Sequence, residues 1–415
     1  MSTDFYDWLE VRKPEERERD LLAALPRQVG HAQAAAPAFA EILAGVDASG
    51  VTTRAALAKL PVTRKSDLLA LQKERRASDP LGGFSTIVRG QRMARVFASP
   101  GPIYEPEGEA RDYWRTARAL YAAGFRAGDL VHNCFSYHMT PAGSIIDSGA
   151  RALGCTVFAG GTGRTEQQVE AIVDLRPDGY AGTPSFLKII LDKAAEQNVE
   201  LPSLAKALVS GEAFPPSLRD RIDERGVVAI QCYATADLGL IAYETAAREG
   251  LVLDEGVVVE IVRPGTGDPL PDGEVGEVVV TTLNPDYPLI RFGTGDLSAV
   301  MAGSCPTGRT NRRLKGWLGR ADQTTKVRGM FVHPGQVAEI ARRFPEAGRV
   351  RLVVEGAMGD DRMTLKLECT AVEGLADRVA EAIREITKLR GAVEFAQPGS
   401  LPNDGKVIED ARRYE

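Results

Sequence analysis

Short apolar runs alternate with amphipathic stretches between about residues 110 and 230. The apolar runs predict strands at 130–135, 155–159, 179–182, 207–210 and 227–231. The stretches around them have helical spacing and predict helices at 111–123, 142–153, 166–175, 184–197 and 216–225. Because strands that alternate with helices usually form parallel layers, this pattern predicts an α/β fold with mainly parallel sheets.

The flanking regions have other patterns. Helical spacing covers 5–46, and a strand-like run at 93–98 leads into the loop Ser99-Pro-Gly-Pro102. After residue 250, the segments 256–262 and 276–282 and their Pro/Gly turns predict a small antiparallel β region. Beyond that, an α+β unit is predicted, with helices at 334–343 and 372–389 and strands at 349–355 and 363–368. We therefore expect a large domain over 1–321 and a small domain over 322–415.

The composition argues against several classes of protein. Apolar residues make up 44% and charged residues 26% of the 415 residues, the balance of a soluble globular protein. The net charge of −6, without a long basic stripe, does not indicate nucleic-acid binding. The N-terminus is charged and no stretch approaches the roughly 20 apolar residues of a spanning helix, which favours a cytoplasmic protein without a membrane segment. The five cysteines form no Cys-x-x-Cys pair, so neither a zinc site nor a disulfide framework is expected.

Two motifs in the C-terminal half contain candidate functional groups. Asp296 ends Arg291-Phe-Gly-Thr-Gly-Asp296, and a carboxylate at such a loop end can accept both hydroxyls of a ribose. Lys406 follows an Asp-Gly turn near the end of the chain, where a lysine can bridge a substrate carboxylate and a phosphate. Taken alone, Asp296 could be an ordinary turn aspartate and Lys406 a solvated surface charge.

The order of the motifs favours the functional interpretation. Tyr233-Ala-Thr-Ala-Asp237, the Asp296 motif, Gly319-Arg-Ala-Asp-Gln-Thr-Thr-Lys-Val-Arg-Gly329 and Lys406 follow one another along the chain. With Leu60-Pro-Val-Thr-Arg-Lys65, this set resembles the adenylate-forming enzymes that activate carboxylic acids with ATP, and among them the phenylacetate–CoA ligase group. The resemblance covers most of the chain and implies a large N-terminal domain with a smaller, mobile C-terminal domain.

The resemblance implies how the nucleotide binds. In that family an aromatic ring stacks on adenine, a small hydroxyl reaches the α-phosphate, and an acid holds Mg²⁺. These roles fall on Tyr233, Thr235 and Asp237, although the hydroxyl has moved by one position and Asp237 is one methylene shorter than the family's glutamate. Gly211 and Glu212 match the adenine-side Gly-Glu-Pro of the family, and a plain strand-end turn is equally compatible with them.

The resemblance also implies roles for the later motifs, at the ribose, at the hinge between the domains and in the channel for the acceptor. Asp296 and Arg320 are expected at the ribose, and Asp322 is expected at the hinge between the domains. Lys406 is expected to stabilise the charge that develops as pyrophosphate leaves. Once the small domain has turned, the CoA channel is expected to be lined by Lys326, Arg328 and Gly329.

By the same resemblance, the acid is expected to bind beside Phe135, Tyr137, His138, Thr183 and Pro184. The aromatic side chains form either a wall of the pocket or a packed corner of the core. The resemblance to the phenylacetate–CoA ligase group favours an aryl or arylacetic acid. Some relatives carry a Cys/His zinc site after the tyrosine motif. Residues 244–258 of this chain contain neither residue type, so no zinc is expected.

One segment departs from the family. Where relatives have a Ser/Thr/Gly-rich phosphate loop with a lysine, this chain has Ser99-Pro-Gly-Pro-Ile-Tyr-Glu-Pro106. Ser99 and Gly101 remain as candidate phosphate contacts, but two prolines remove N–H donors and Glu105 stands in place of the lysine. Because a carboxylate repels a triphosphate, either the loop moves aside, another element holds the pyrophosphate, or the ATP reaction has been lost.

The leading expectation is an ATP- and Mg²⁺-dependent ligase that forms an acyl-adenylate and transfers the acyl group to CoA. Two alternatives stay open: an adenylyl transferase or amide-forming ligase with another acceptor, and a non-catalytic nucleotide- or acyl-CoA-binding homologue. In the leading case the ligands are a small carboxylic acid, ATP and CoA. The identity of the acid and the oligomeric state, with a homodimer among the options, are not determined by the sequence.

Overall fold

The computed structural model of the chain describes residues 5–318, 321, 325–328, 330–332, 334–356, 361–370, 372–402 and 406–412. The chain packs into two compact units, Met1–Gly319 and Arg320–Glu415. The domain boundary expected from the motifs, after residue 321, stays a prediction.

The first unit contains most of the secondary structure. Its described helices are α1 (Pro14–Ala35), α2 (Pro37–Ile42), α3 (Arg54–Leu57), α4 (Lys65–Glu74), α5 (Ala117–Ala122), α6 (Ala142–Leu153), α7 (Thr165–Leu175), α8 (Pro184–Glu196) and α9 (Pro216–Asp223), with short 3-10 helices at Trp8–Val11 and Ala48–Gly50. Its strands are β1 (Thr63–Arg64), β2 (Met93–Ser99), β3 (Ile103–Gly108), β4 (Leu130–Asn133), β5 (Thr156–Ala159), β6 (Gly179–Gly182), β7 (Lys206–Val209), β8 (Val228–Thr235), β9 (Gly239–Tyr243), β10 (Leu251–Leu253), β11 (Val257–Val262), β12 (Gly276–Thr282), β13 (Phe292–Ser298), β14 (Val300–Met301) and β15 (Arg313–Leu314).

A large mixed sheet forms the centre of this unit. Within residues 5–318 it has nine strands in the order β14-β15-β10-β9-β8-β7-β6-β4-β5. The strands from β5 to β8 in this order are parallel, and those from β8 to β14 are antiparallel. Leu120 of α5 and Ile146 of α6 belong to one buried cluster with Val131 and Leu208 of the sheet. The expected α/β class is therefore confirmed, and the central sheet is mixed, with four parallel and four antiparallel strand pairs.

A second sheet positions several motif residues. Its order is β1-β13-β12-β11, with β1 parallel to β13 and the other pairs antiparallel. Buried Leu25, Phe39 and Leu68 of the N-terminal helices share a core with Val259 and Val280 of this sheet. Because β13 contains the Asp296 motif and β1 runs directly into α4, the sheet sets where both of these segments lie.

The second unit is a small α+β fold, as expected from the sequence. Its described elements are β16 (Thr325–Val327), β17 (Met330–Val332), α10 (Pro334–Arg343), β18 (Val350–Glu355), β19 (Arg362–Glu368), α11 (Leu375–Thr387), β20 (Ala392–Ala396) and β21 (Ile408–Asp410). Four of the strands form a sheet in the order β20-β19-β18-β21. Apolar residues of α10 and α11, such as Ile340 and Ile383, complete its core.

Two expectations from the sequence are wrong. The helix predicted at 111–123 begins only at Ala117, because Arg115 adopts a left-handed backbone (φ 63°) and its guanidinium bonds Asp254 and the carbonyl of Leu240. The predicted loop at 99–102 is the turn of a hairpin, but the rest of the expected phosphate-loop segment is a strand, since Ile103–Gly108 (β3) pairs antiparallel with β2. Among the described helices, none combines the length and the apolar character that crossing a membrane requires.

Candidate active site

Asp296 on β13 contacts two aromatic side chains. The hydroxyl of Tyr233 donates to Oδ2 at 2.8 Å, and the indole Nε1 of Trp317 donates to Oδ1 at 3.1 Å. Two residues expected at the nucleotide, 63 positions apart in sequence, are thus in direct contact. Trp317 was missed by the sequence reasoning; its position just before the motif that contains Arg320 was the available signal.

The rest of the tyrosine motif forms the end of β8 and the turn into β9. The hydroxyl of Thr235 accepts a hydrogen bond from the amide of Leu238 at 3.2 Å, so it stabilises this turn. A hydroxyl that accepts in this way still has its own proton to donate, and a phosphate contact stays compatible with the geometry.

Asp237 in the same turn is ion-paired with a lysine from another segment. Its side chain is fully buried, and Oδ2 lies 3.0 Å from the ammonium of Lys65, the first residue of α4. Neither carboxylate oxygen receives a hydrogen bond from the described residues. A buried carboxylate requires a cationic partner, so this pair stabilises the charge of Asp237. The sequence reasoning cited Lys65 only as part of a family segment and assigned it no role.

Glu105 is buried within the hairpin of β2 and β3. Its carboxylate accepts a hydrogen bond from the amide of Ser99 at 3.2 Å and a second one from the Ser99 hydroxyl. Burial raises the pKa of Glu105 to about 8; the charge of Asp237 raises it further, whereas the Ser99 hydrogen bond and Lys65 oppose this. Glu105 is therefore largely neutral at pH 7 and is not an exposed charge at the tip of a loop.

Phe135 and Thr183, expected around the acid, both lie beside Gly211, which is expected on the adenine side. Gly211 has a left-handed backbone (φ 85°), and a Cβ added there would lie 3.7 Å from Phe135 and 3.8 Å from Thr183. Glu212 accepts a hydrogen bond at 2.7 Å from the amide of Ser185, near the start of α8. Glu212 thus stabilises the helix that begins at Pro184, and Gly211 lies beside the expected pocket.

The aromatic residues of the expected pocket differ in their surroundings. Phe135 is buried and belongs to the core cluster, whereas Tyr137 is 38% exposed and His138 is exposed. Asn133 donates to the Tyr137 hydroxyl at 2.8 Å. The ring of Tyr137 packs so closely on Gly143 that a Cβ there would lie 2.8 Å from it. Phe135 thus lies in a packed corner of the core, whereas a role of Tyr137 and His138 as a wall of the acid pocket stays a prediction.

Comparison with known proteins identifies the family. The AMP-binding enzyme family matches residues 137–284. A phenylacetate–coenzyme A ligase of Thermus thermophilus is 33% identical over 391 residues, which are 88% of this chain and 86% of that protein. A phenylacetate–coenzyme A ligase of Escherichia coli (strain K12) is 31% identical over 320 residues, 72% of this chain and 70% of that protein. The chain belongs to the phenylacetate–CoA ligase family of adenylate-forming enzymes.

The fold of this ligase agrees with that assignment. The solved structure of a 2-hydroxyisobutyryl-CoA ligase in complex with 2-HIB-AMP and CoA matches it with a TM-score of 0.84, over 100% of this chain and 93% of that chain. At 23% identity this comparison supports the fold alone. Family membership makes the protein an AMP-forming acid–CoA ligase that works through an acyl-adenylate, as the motifs led us to expect.

The remaining site residues of the ligase lie in the turn of the hairpin or in the second unit. Gly101 occupies the exposed turn between β2 and β3. Arg328 is exposed, and its amide donates to Asp361 at 2.8 Å. Lys326 lies on β16, and Lys406 is exposed just before β21. Arg320, Asp322 and Gly329 lie outside the described residues, so their expected roles stay predictions.

The buried Glu105 makes the stability of the ligase depend on pH. Its pKa of about 8 in the folded protein exceeds the ordinary value of 4.5, so the folded state holds a proton that the unfolded state releases. The free energy of unfolding is therefore expected to fall as pH rises from 4.5 to 8, by at most about 1.4 kcal/mol per pH unit from this group. Glu105→Gln should remove this contribution.

Urea unfolding between pH 5 and 8, without metal or nucleotide, measures this effect. The tryptophans at 8, 114 and 317 all lie in the first unit, so their fluorescence follows its unfolding. Glu274→Gln, at an exposed position, serves as the matched control and should keep the wild-type slope. Equal pH slopes for wild type and Glu105→Gln would show that Glu105 does not hold its proton in the folded protein.

Proposed function

We propose that this ligase activates an aryl or arylacetic acid with Mg–ATP and transfers the acyl group to CoA. The observation that carries the proposal is the 2.8 Å contact between the Tyr233 hydroxyl and the Asp296 carboxylate, the two groups expected at the adenine and the ribose. The aromatic character of the acid is supported by Phe135 and Tyr137, close to the expected pocket. The names of the relatives, phenylacetate–coenzyme A ligases, agree with it.

Each of these side chains would have its own role in the first half-reaction, the formation of the acyl-adenylate. Tyr233 and Asp296 would hold the adenosine, the former by stacking and the latter through the ribose hydroxyls. The acid would lie beside Phe135 and Thr183, where its carboxylate can attack the α-phosphorus and displace pyrophosphate. Lys406 would stabilise the negative charge of this step, because an ammonium can contact the carboxylate and the α-phosphate together. CoA would then attack the acyl-adenylate through its thiol and release AMP.

Asp237 is the residue that fits a magnesium ion. Magnesium bound with nucleotides uses one or two carboxylates and completes its octahedron with phosphate oxygens and water. Asp237 is a buried carboxylate that already requires a cation, which is the chemistry of such a ligand. Bound there, Mg²⁺ would neutralise charge on the phosphates. The described residues contain no cluster of three or more side chains that could hold a metal ion by themselves.

Calorimetric titrations with Mg–ATP, AMP and CoA, followed by a screen of carboxylic acids, test the proposal. Wild type is expected to bind Mg–ATP and AMP, and to release AMP and a thioester with an aryl or arylacetic acid. Asp296→Asn is expected to weaken the binding of Mg–ATP and of AMP by roughly tenfold or more, since it removes the charged group that accepts the ribose hydroxyls. The exposed Asp268→Asn is the matched control and should bind as wild type does.

Three results would contradict the proposal in different ways. Failure of wild type to bind Mg–ATP while it binds AMP would mean that the hairpin excludes the triphosphate. AMP release without a thioester would indicate another acceptor. Turnover of aliphatic acids alone would exclude the aromatic substrate class.

A further inference from the structure

The hairpin that replaces the phosphate loop is fixed in place by hydrogen bonds. The Gln72 side chain of α4 donates to the carbonyl of Tyr104 at 2.8 Å and accepts from the amide of Tyr104 at 2.8 Å. On the other strand, the amide of Ala98 donates to the carbonyl of Met139 at 2.9 Å. Moving the hairpin aside would break these contacts, so the structure favours a different element as the holder of the pyrophosphate.

The hairpin itself offers few donors to a phosphate. Pro100 and Pro102 have no N–H, and both the amide and the hydroxyl of Ser99 donate to Glu105. Glu105 lies on β3, where it cannot act as the lysine of the family's loop would. The cation that a triphosphate requires must therefore come from another segment.

Lys65 is positioned to be that cation. Strand β1 pairs in parallel with β13, and the amide of Thr63 donates to the carbonyl of Arg291 at 3.0 Å. Lys65 follows β1 directly, and its ammonium lies 3.0 Å from Asp237, the expected magnesium ligand. The Lys65 side chain is 37% exposed while that of Asp237 is fully buried, so the lysine is the member of the pair that an incoming ligand can reach.

A second buried group marks the same location. Tyr287 is 1% exposed, and its hydroxyl has no hydrogen-bond partner among the described residues. Burial raises the pKa of this phenol, and the carboxyl groups of Asp237 and Glu105 raise it further. Two buried acids, a buried hydroxyl without a hydrogen-bond partner among the described residues and a partly exposed lysine are groups that a polar ligand can satisfy.

We propose that Lys65 supplies the phosphate-binding cation, so that the β- and γ-phosphates of ATP are held from the start of α4 and not by the hairpin. The inference rests on the function proposed above. In the nucleotide-free protein Lys65 neutralises Asp237. When Mg–ATP binds, Asp237 exchanges this ammonium for the divalent cation that accompanies the nucleotide, and Lys65 contacts the phosphates.

Titration of AMP, Mg–ADP and Mg–ATP into wild type and Lys65→Ala tests the inference. Lys65→Ala is expected to weaken Mg–ATP binding by roughly tenfold to a hundredfold, the range for loss of a charge-assisted contact. AMP lacks the β- and γ-phosphates, so its affinity should change by less than about twofold. If Lys65→Ala already weakens the binding of Mg–ADP, Lys65 holds the β-phosphate. If only the binding of Mg–ATP is weakened, Lys65 holds the γ-phosphate.

Two further variants separate phosphate binding from a structural role. Lys65→Arg keeps the charge and is expected to recover part of the Mg–ATP affinity. Lys73→Ala removes an exposed lysine from the same helix and should bind all three nucleotides as wild type does.

Equal losses for AMP and Mg–ATP, or no loss at all, would overturn the role of Lys65. Failure of wild type to bind Mg–ATP would instead overturn the proposed function, on which the inference rests.

Discussion

Replacing Lys406 by alanine is expected to lower the rate of acyl-adenylate formation by on the order of several hundredfold, the effect of losing a group that stabilises developing charge. Negative charge builds up as the carboxylate attacks the α-phosphorus and pyrophosphate departs. An ammonium lowers the energy of that charge more than the energy of the bound substrates. Exchange of labelled pyrophosphate into ATP, in the presence of the acid, measures this half-reaction directly.

The controls for Lys406 separate catalysis from folding and from the second half-reaction. Lys406 is exposed, so its loss should lower the free energy of unfolding by less than about 1 kcal/mol. Lys366→Ala, which breaks only a surface ion pair with Glu394, should keep the wild-type exchange rate. CoA added together with the acyl-adenylate should still give thioester in Lys406→Ala. Exchange at the wild-type rate in this variant would remove Lys406 from catalysis and support a non-catalytic role for the C-terminal segment.

Replacing Arg291 by alanine is expected to lower the free energy of unfolding of the first unit by about 3–5 kcal/mol. The Arg291 guanidinium is fully buried and bonds both oxygens of Glu260, at 2.9 and 3.1 Å. It also donates to the carbonyls of Ala58, Leu60 and Gly267 at 2.5 to 2.8 Å. The variant would leave Glu260 charged without its partner, together with three buried carbonyls that lose a donor.

Urea unfolding followed by tryptophan fluorescence measures this loss. The more exposed pair of Arg248 and Asp223 provides the matched control, and Arg248→Ala should cost less than about 1 kcal/mol. The double variant Arg291→Met/Glu260→Leu is expected to recover part of the stability, because it removes the unpaired acid as well. A loss below about 1 kcal/mol for Arg291→Ala would show that water satisfies the groups left behind.

These two residues show how far a motif can be interpreted from the sequence. Lys406 and Arg291 both belong to motifs of the family, and the sequence alone offered no way to tell a group at the reaction centre from a structural anchor. The structure identifies Arg291 as a structural anchor, since it is fully buried among hydrogen-bond partners; Lys406 is exposed, and its catalytic role stays a prediction. Burial depends on which segments pack together, and this is not a local property of the chain.

The same limit applies to the segment at Ser99. Its residues correctly indicated a loss of phosphate donors, because proline has no N–H whatever its surroundings. They also suggested a carboxylate facing the nucleotide. The pairing of β2 with β3 turns Glu105 into the hairpin, where burial raises its pKa. Its charge at neutral pH could therefore not be predicted from the residue type.

By itself the sequence determined the alternation of strands and helices, the class of the small unit, and the ordered motifs that identify an acid–CoA ligase. These follow from periodicity and local chemistry, which depend on neighbours in the chain. Only the tertiary structure decided the contact of Tyr233 and Trp317 with Asp296, and the ion pair of Lys65 with Asp237. Tyr233, Trp317 and Asp296, and likewise Lys65 and Asp237, are distant in sequence, so only the packing of separate segments brings them together.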